Sequence, residues 1–321
     1  MELVRGLHNL RPEHHGCVVT IGNFDGIHLG HQAVLGQLSD KAAELGVPAM
    51  VMCFEPHPQE FFAGDEAPAR LSRLREKVLM LRRFAVERVL CLHFDTAMAQ
   101  MSAETFIHDV LITQLGIRCL IVGDDFRFGH QRRGNLNMLN AAGSAYGFQV
   151  INMHTFDVDG ERVSSTRIRE ALSAGDLATA GKLLGRPYRM SGRVVHGDRR
   201  GRVIGFPTAN IYLHRKVSPL RGVYAVQVFG LEREPYQAVA NIGVRPTVDG
   251  RRCLLEVHLL DFNEDIYGHH VQVAFLHKLR DEKRFESVDA LQKQIAGDVM
   301  EARSYFAGCR DIDRSSVLQK S

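Results

Sequence analysis

Thr20-Ile21-Gly22-Asn23-Phe24-Asp25-Gly26-Ile27-His28-Leu29-Gly30-His31 decides how the first half of this chain folds. An apolar run, 17–21, leads into it. Beyond it Val34, Leu38, Ala42 and Leu45 recur at helical spacing until Gly46 supplies a left-handed cap. A strand passing through a glycine turn into a helix is the start of a βα unit. Gly22 and Gly26 let the backbone approach an anion closely, while the free amides and positive dipole end of the helix attract one. His28 and His31 stand three apart at the helix start, so both imidazoles project from one side. Fixed donors aimed at the non-bridging oxygens of a phosphoryl centre lower its barrier without covalent chemistry.

Working outward, four more strand-like runs, 49–54, 89–94, 118–122 and 148–153, alternate with helical spacing. One helix has Ser72 as its N-cap and Leu74, Val78, Leu81 and Ala85 as its stripe. Another runs from Ser102 to Leu115 with Phe106, Val110 and Thr113 on its face and Gly116 at its end. Strand and helix in alternation predict a parallel sheet, with the ligand outside the carboxyl ends of the strands. The texture changes at Gly185-Arg186-Pro187. Strand-like runs 222–229, 237–241, 254–261 and 270–275 then follow one another without helices, which predicts an antiparallel barrel. After Ser287 as N-cap, Val288, Leu291, Ile295, Val299, Ala302 and Phe306 mark a closing helix lying across that barrel. The expected fold is α/β: a Rossmann-like domain over 1–186, a six-stranded barrel with a terminal helix over 187–308, and a loose tail over 309–321.

The 321 residues suit two domains. Hydrophobic residues at 45% and charged residues at 24% exclude a disordered or fibrous chain. A net charge of +3 argues against a nucleic-acid coat or a membrane-hugging surface. There is no apolar leader or spanning run, so the expected protein is soluble and cytoplasmic. Six scattered cysteines without Cys-x-x-Cys read as small core residues, and the histidine pairs lack the company of a zinc site.

Three other segments return to the sheet edge that carries the two histidines. The stretch 54–62, Phe-Glu-Pro-His-Pro-Gln-Glu-Phe-Phe, is a stiff apolar lip able to seat a flat ring; its bland alternative is a packed surface loop. Gly123-Asp124-Asp125-Phe126-Arg127-Phe128-Gly129 joins carboxylates, a cation and aromatics at a strand end, or is an ordinary βα turn. Ser164-Ser165-Thr166-Arg167-Ile168-Arg169 starts a helix with hydroxyls and guanidinium forks suited to an anion, or is a plain N-cap. Strand, glycine turn, Asp25 and His-x-x-His resemble the nucleotidylyltransferase superfamily. In their order and spacing, the four segments resemble the adenylyltransferase half of bacterial bifunctional riboflavin kinase/FAD synthetases. The resemblance implies that His28 and His31 stabilise the α-phosphate of ATP. It also implies that Ser165, Thr166, Arg167 and Arg169 grip the triphosphate, and that Asp125, Arg127 and Phe128 lie near FMN. Gly22, Phe24, Asp25, Gly26, Phe54 and Phe62 complete the expected nucleotide and flavin contacts.

In the second half, residues 192–210 hold glycines and arginines suited to a flap over phosphates, with Gly197, Arg202, Gly205 and Pro207 as candidate contacts. Gly-Lys-Ser/Thr is absent and no helix follows, which rejects a Walker loop. Thr208 and Asn210 are two apart, so in extended backbone their oxygens share a side and suit Mg²⁺. Residues 241–247 read as a supporting turn. Alternation along 254–261 puts Glu256 and His258 on one face; should that face turn inward, Glu256 could take a proton from an attacking hydroxyl. Residues 187–307 resemble the riboflavin kinase half of the same enzymes. That implies Glu256 as general base toward the ribityl 5′-hydroxyl, Thr208 and Asn210 at magnesium and ATP, and Arg280 and Glu282 closing on the flavin. The expectation is an enzyme that makes FMN from riboflavin and ATP, then FAD from FMN and a second ATP. The rivals are a flavin- or nucleotide-binding module and a transferase with another acceptor.

Overall fold

The computed structural model describes residues 1–196, 205–215, 217–247 and 250–318. By packing, the chain divides into Met1–Ser165 and Thr166–Ser321.

The first unit is built on six parallel strands: β1 (Glu2–Arg5), β2 (Val18–Ile21), β3 (Ala49–Glu55), β4 (Arg88–His93), β5 (Cys119–Gly123) and β6 (Gln149–Met153). Their order across the sheet is β1-β4-β3-β2-β5-β6. From β2 the chain moves outward through β3 to β4, then returns to place β5 on the other side of β2. That reversal makes the carboxyl end of β2 the switch point, where α/β sheets bind ligands. The turn 22–28 sits there. Strands β2 to β5 are buried on both faces, as a parallel sheet covered by helices requires. The edge strand β1 pairs with β4 and was not expected, since four residues with two charges carry no strand pattern.

Helix α1 (Leu29–Leu45) ends, as the sequence predicts, at Gly46 with φ 64. Helices α2 (Pro58–Ala63) and α3 (Leu74–Leu81) follow β3. Arg73, not Ser72, is the N-cap of α3, and Ala85 lies past its end with φ 51. After α4 (Thr96–Gln100), Ser102 does cap a helix, accepting the Thr105 N–H at 3.0 Å. That helix, α5, runs over Ala103–Thr105 and continues as π-helical turns over Phe106–Gln114. The wider turns rotate the buried face onto Phe106, Ile107, Val110 and Leu111, away from the expected Thr113. The unit is completed by α6 (Leu136–Tyr146) and the short hairpin β7 (Asp157–Val158) and β8 (Glu161–Arg162).

Helices α7 (Ser165–Ala174) and α8 (Leu177–Leu184) precede the second sheet. All of α7 but its first residue, and all of α8, group by packing with the barrel, whereas the sequence puts the boundary at 186. The barrel strands are β9 (Arg189–Val195), β10 (Ala209–Tyr212), β11 (Gly222–Phe229), β12 (Tyr236–Thr247), β13 (Gly250–Leu259) and β14 (His270–Arg280). They close antiparallel in the order β10-β13-β12-β11-β14-β9. Residues 241–247, read from sequence as a turn, continue strand β12 in register with β13.

Helix α9 (Val288–Leu318) lies on the outer face of the barrel through Ala302 and Phe306, which pack with Val223, Ala225 and Val239. Ser287 caps it, accepting the Ala290 N–H at 3.1 Å. Its backbone is helical over 309–318, where the sequence predicts a loose tail. Val288, expected on the apolar stripe, is exposed, and the polar Asp298 is buried instead.

Candidate functional site

Between β2 and α1 the backbone is tightly wound. Gly26 takes φ 84, and Phe24 and Ile27 hold left-handed φ of 47 and 43, a conformation that costs a non-glycine residue about 1–3 kcal/mol. Both side chains are buried against the sheet, which holds the strain in place. A Cβ on Gly22 would lie 3.1 Å from the Phe24 ring, and one on Gly30 would lie 3.3 Å from His28 Nδ1. The glycines thus let the rings settle.

His28 is the N-cap of α1 and is 6% exposed. Its Nδ1 accepts the His31 backbone N–H at 3.3 Å, so a neutral ring carries its proton on Nε2. The two imidazoles stack with centroids 3.7 Å apart and planes 17° from parallel, and Phe24 lies 5.0 Å from His31. The spacing argument holds: one helix start presents two adjacent rings. Burial, then the His28 and Lys77 charges, push His31 well below the ordinary imidazole value. It stays neutral at pH 7.

Asp25, expected as a ligand contact, is 3% exposed with both oxygens engaged. Oδ2 accepts the Leu71 N–H at 3.0 Å. Oδ1 accepts the Ser72 N–H at 2.8 Å and the Ser72 hydroxyl at 3.3 Å. Ser72 Oγ in turn accepts the Gly26 N–H at 2.9 Å. Asp25 therefore anchors the start of α3 to the glycine turn. Ser165 donates its hydroxyl to the Asp25 carbonyl at 2.9 Å, so the serine of the fourth segment does return to this turn. Thr166 is exposed on the first turn of α7, and Arg167 and Arg169 are half-buried along it.

The expected lip is present and larger than the sequence indicated. Phe54 meets Phe94 edge-on at 5.6 Å, and Phe61 and Phe62 lie 5.4 and 5.8 Å from Phe94. Phe62 is 71% exposed, an open aromatic face. Arg70 fixes the lip: Nη1 and Nη2 each donate to Glu55 at 2.8 Å, and Nε donates to Glu60 at 2.5 Å. Sequence reasoning missed both Phe94, taken as a strand end, and Arg70, which sits in no motif.

Of the third segment, Phe128 is a core residue, 8% exposed, stacked on Phe126 at 5.5 Å and paired with Gly134 through both backbone groups. Asp125 is exposed and ion-paired with Arg162, and Arg127 donates to the Phe126 carbonyl at 2.8 Å.

In the barrel, strand register builds the second site. Asn210 lies opposite Glu256, which lies opposite Asn241, which lies opposite Val223. Directly opposed residues share a face, so these four form one row. Val223 packs under α9, so the row faces outward. Leu255, Val257 and Ile242 fill the lumen. The condition that Glu256 turn inward is corrected: it stands half-buried on the outside, beside two asparagines. Asn241 was missed because sequence alone gives no register. His258 shares this outward face; its ring meets Phe206 at 5.5 Å and its Nδ1 lies 2.8 Å from the Pro207 carbonyl, fixing the residues before Thr208.

Gly205 takes φ 81 at the near end of the expected flap; Gly197 and Arg202 lie outside the described residues. Arg280, expected at the flavin, is held by the buried Asp298 through Nε at 2.8 Å and Nη2 at 2.7 Å. Glu282 lies against Gly243, where a Cβ would collide with its carboxylate at 1.9 Å. Thr208, Asn210 and Glu256 offer hard oxygens with a single carboxylate, a set that fits Mg²⁺ shared with substrate phosphates and not a protein-only cage. Among the described residues no cluster of His, Cys, Asp and Glu is suited to a metal.

The FAD synthetase family model matches residues 10–167, and the riboflavin kinase model matches residues 184–306. The bifunctional riboflavin kinase/FMN adenylyltransferase of Escherichia coli (strain K12) is 53% identical over 307 residues, 95% of this chain and 98% of that one. Its counterpart in Haemophilus influenzae is 51% identical over 306 residues, 95% of this chain and 99% of that one. A crystal structure described as a macrolide-efflux protein from Streptococcus pneumoniae has a TM-score of 0.80 at 34% identity, covering 94% of this chain and 98% of that one. No helix among the described residues is long and apolar enough to cross a membrane. The chain belongs to the family of bifunctional riboflavin kinase/FMN adenylyltransferases, with its FAD synthetase half first and its riboflavin kinase half second.

Proposed function

We propose a division of labour between two sites for the two activities of this family. The chain phosphorylates riboflavin to FMN in its second half and transfers AMP from ATP to FMN in its first, releasing pyrophosphate. In the first half, an FMN phosphate oxygen attacks the α-phosphorus of ATP and the α–β bridging bond breaks. His28 donates from Nε2 to a non-bridging oxygen there, and the neutral His31 holds that ring by stacking. The stacked pair at the switch point of the sheet carries this reading. Ser165, tied to the Asp25 carbonyl, lies at the departing phosphates, and the Phe54–Phe62–Phe94 lip takes the flavin ring.

In the second half, Glu256 accepts the proton of the ribityl 5′-hydroxyl as that oxygen attacks the γ-phosphorus and ADP leaves. Thr208 and Asn210 are the residues that would hold Mg²⁺, which when bound neutralises phosphate charge. Asn241, opposed to Glu256 in the row, orients the same carboxylate. The small-molecule substrates ATP, riboflavin and FMN support reading the protein as a cytoplasmic enzyme.

Labelled ATP tests the scheme. With riboflavin and Mg²⁺, γ-label should appear in both FMN and FAD, and α-label in FAD alone; FAD lacking α-label contradicts it.

A further inference from the structure

Lys77 takes no part in the functions described so far, yet it is among the most completely buried side chains of the first unit, at 2% exposure. Lysine is almost never buried without a partner, because removing an ammonium from water costs several kcal/mol unless another charge or hydrogen bonds offset it. Among the described residues Lys77 has none. Its backbone N–H donates to the Arg73 carbonyl at 2.9 Å, and among the described residues its ammonium neither pairs with a carboxylate nor donates to an oxygen. Leu81, one turn on, is 0% exposed and packs into the core, as a purely structural helix position would.

The placement of Lys77 is specified. Asp25 anchors Leu71 and Ser72 at the head of α3 to the same turn that carries His28, and Lys77 sits in the second turn of α3. The ammonium acts electrostatically on the rings of His31 and His57 and on the thiols of Cys53 and Cys91. Each ring has a buried nitrogen without a hydrogen-bond partner: Nδ1 of His31 and Nε2 of His57. His57 is 7% exposed and opens α2, beneath the aromatic lip. A lysine with a buried stem and an ammonium held by no described partner, together with two orphaned imidazole nitrogens at the stacked histidine pair and the start of α2, makes a lining fit for a polyanion.

We propose that Lys77 is a phosphate-binding residue of the adenylyl-transfer site, its ammonium contacting the oxygens of the ATP polyphosphate and of the pyrophosphate that leaves. This rests on the reading that the phosphates lie at His28 and His31. As the α–β bond breaks, charge accumulates on the departing pyrophosphate, and a cation fixed beside it stabilises that charge more than the ground state. The rings of His31 and His57, being neutral, leave Lys77 as the full positive charge among the three.

Lys77→Met preserves shape and removes the charge, so it separates a binding role from a packing role. The measurements, on the full chain, are FAD formation from FMN and ATP, calorimetric affinity for inorganic pyrophosphate, riboflavin phosphorylation and melting temperature. The expected result is a loss of about 100-fold or more in kcat/KM for FAD formation and about tenfold or more in pyrophosphate affinity. Riboflavin phosphorylation should stay at the wild-type level and melting should not fall below it, since Met removes the cost of an unpaired ammonium while keeping the stem. FAD formation within about threefold of wild type, or unchanged pyrophosphate affinity, overturns the proposal. If the Met variant fails to fold, Lys77→Arg decides, since retained pyrophosphate affinity in that folded variant supports a charge role and its loss overturns it. His28→Ala run alongside tells two failures apart: normal FAD formation there removes the phosphate reading itself, whereas a defect there with none in Lys77→Met removes Lys77 alone.

Discussion

The Asp25 carboxylate accepts the Ser72 backbone N–H at 2.8 Å across 47 residues of sequence, while Ser72 Oγ accepts the N–H of Gly26, the residue next to Asp25. Two distant segments are thus locked into one turn, and the histidine-bearing helix and α3 are set relative to each other. Asp25→Ala leaves buried donors at Leu71 and Ser72 unpaired, so it should destabilise the first half by about 3 kcal/mol and abolish FAD formation. Calorimetry and product assays on the variant check this, with riboflavin phosphorylation spared. Unaltered melting with normal FAD yield would show that the clamp is dispensable.

Arg70 stiffens the aromatic lip through Glu55 and Glu60. Arg70→Met should raise the KM for FMN about tenfold, equivalent to about 1.4 kcal/mol, with a smaller effect on kcat. Steady-state kinetics with FMN as varied substrate measures it; an unchanged KM separates the lip from flavin binding.

The neutral imidazoles make the first half acid-sensitive. Burial, the largest influence, pushes His57 down to about 4 against the pull of Asp25. The unfolded chain takes up this proton near pH 6.5, whereas the fold refuses it until about 4. The stabilisation is therefore complete above pH 6.5 and is lost as pH falls through that window, by roughly 3 kcal/mol. His31 acts in the same direction. Urea titrations at pH 7 and 4.5 should show His57→Gln losing less stability than wild type on acidification; equal losses contradict the assignment.

Asp298, 3% exposed, holds the Arg280 guanidinium between β14 and α9. Removing one partner of such a pair strands the other, so Asp298→Ala should destabilise the barrel by about 3–5 kcal/mol and lower riboflavin kinase activity through α9. Thermal melting reads the effect. Wild-type melting would mean that Arg280 is free to serve the flavin, as its sequence position implies.

Much of this was legible in the chain because backbone rules act locally. Gly46 stops α1, Ser102 and Ser287 cap their helices, and His28 and His31 share a face because they sit three apart on a helix. What stayed hidden depends on register or distant partners. The Asn210–Glu256–Asn241 row needs three strands aligned, Arg70 is defined only by the carboxylates around it, and Ser72 reads as a cap until Asp25 is seen beside it. The burial of Lys77 is likewise invisible in sequence, since its neighbours Arg75 and Glu76 on α3 give it the look of a solvated position.

The separation of two chemistries onto two halves is tested most directly by the products that His28→Ala makes from riboflavin, ATP and Mg²⁺, resolved by chromatography. FMN should accumulate at the wild-type rate with no FAD and no pyrophosphate. FAD at the wild-type rate, or loss of FMN as well in a folded variant, would contradict the account.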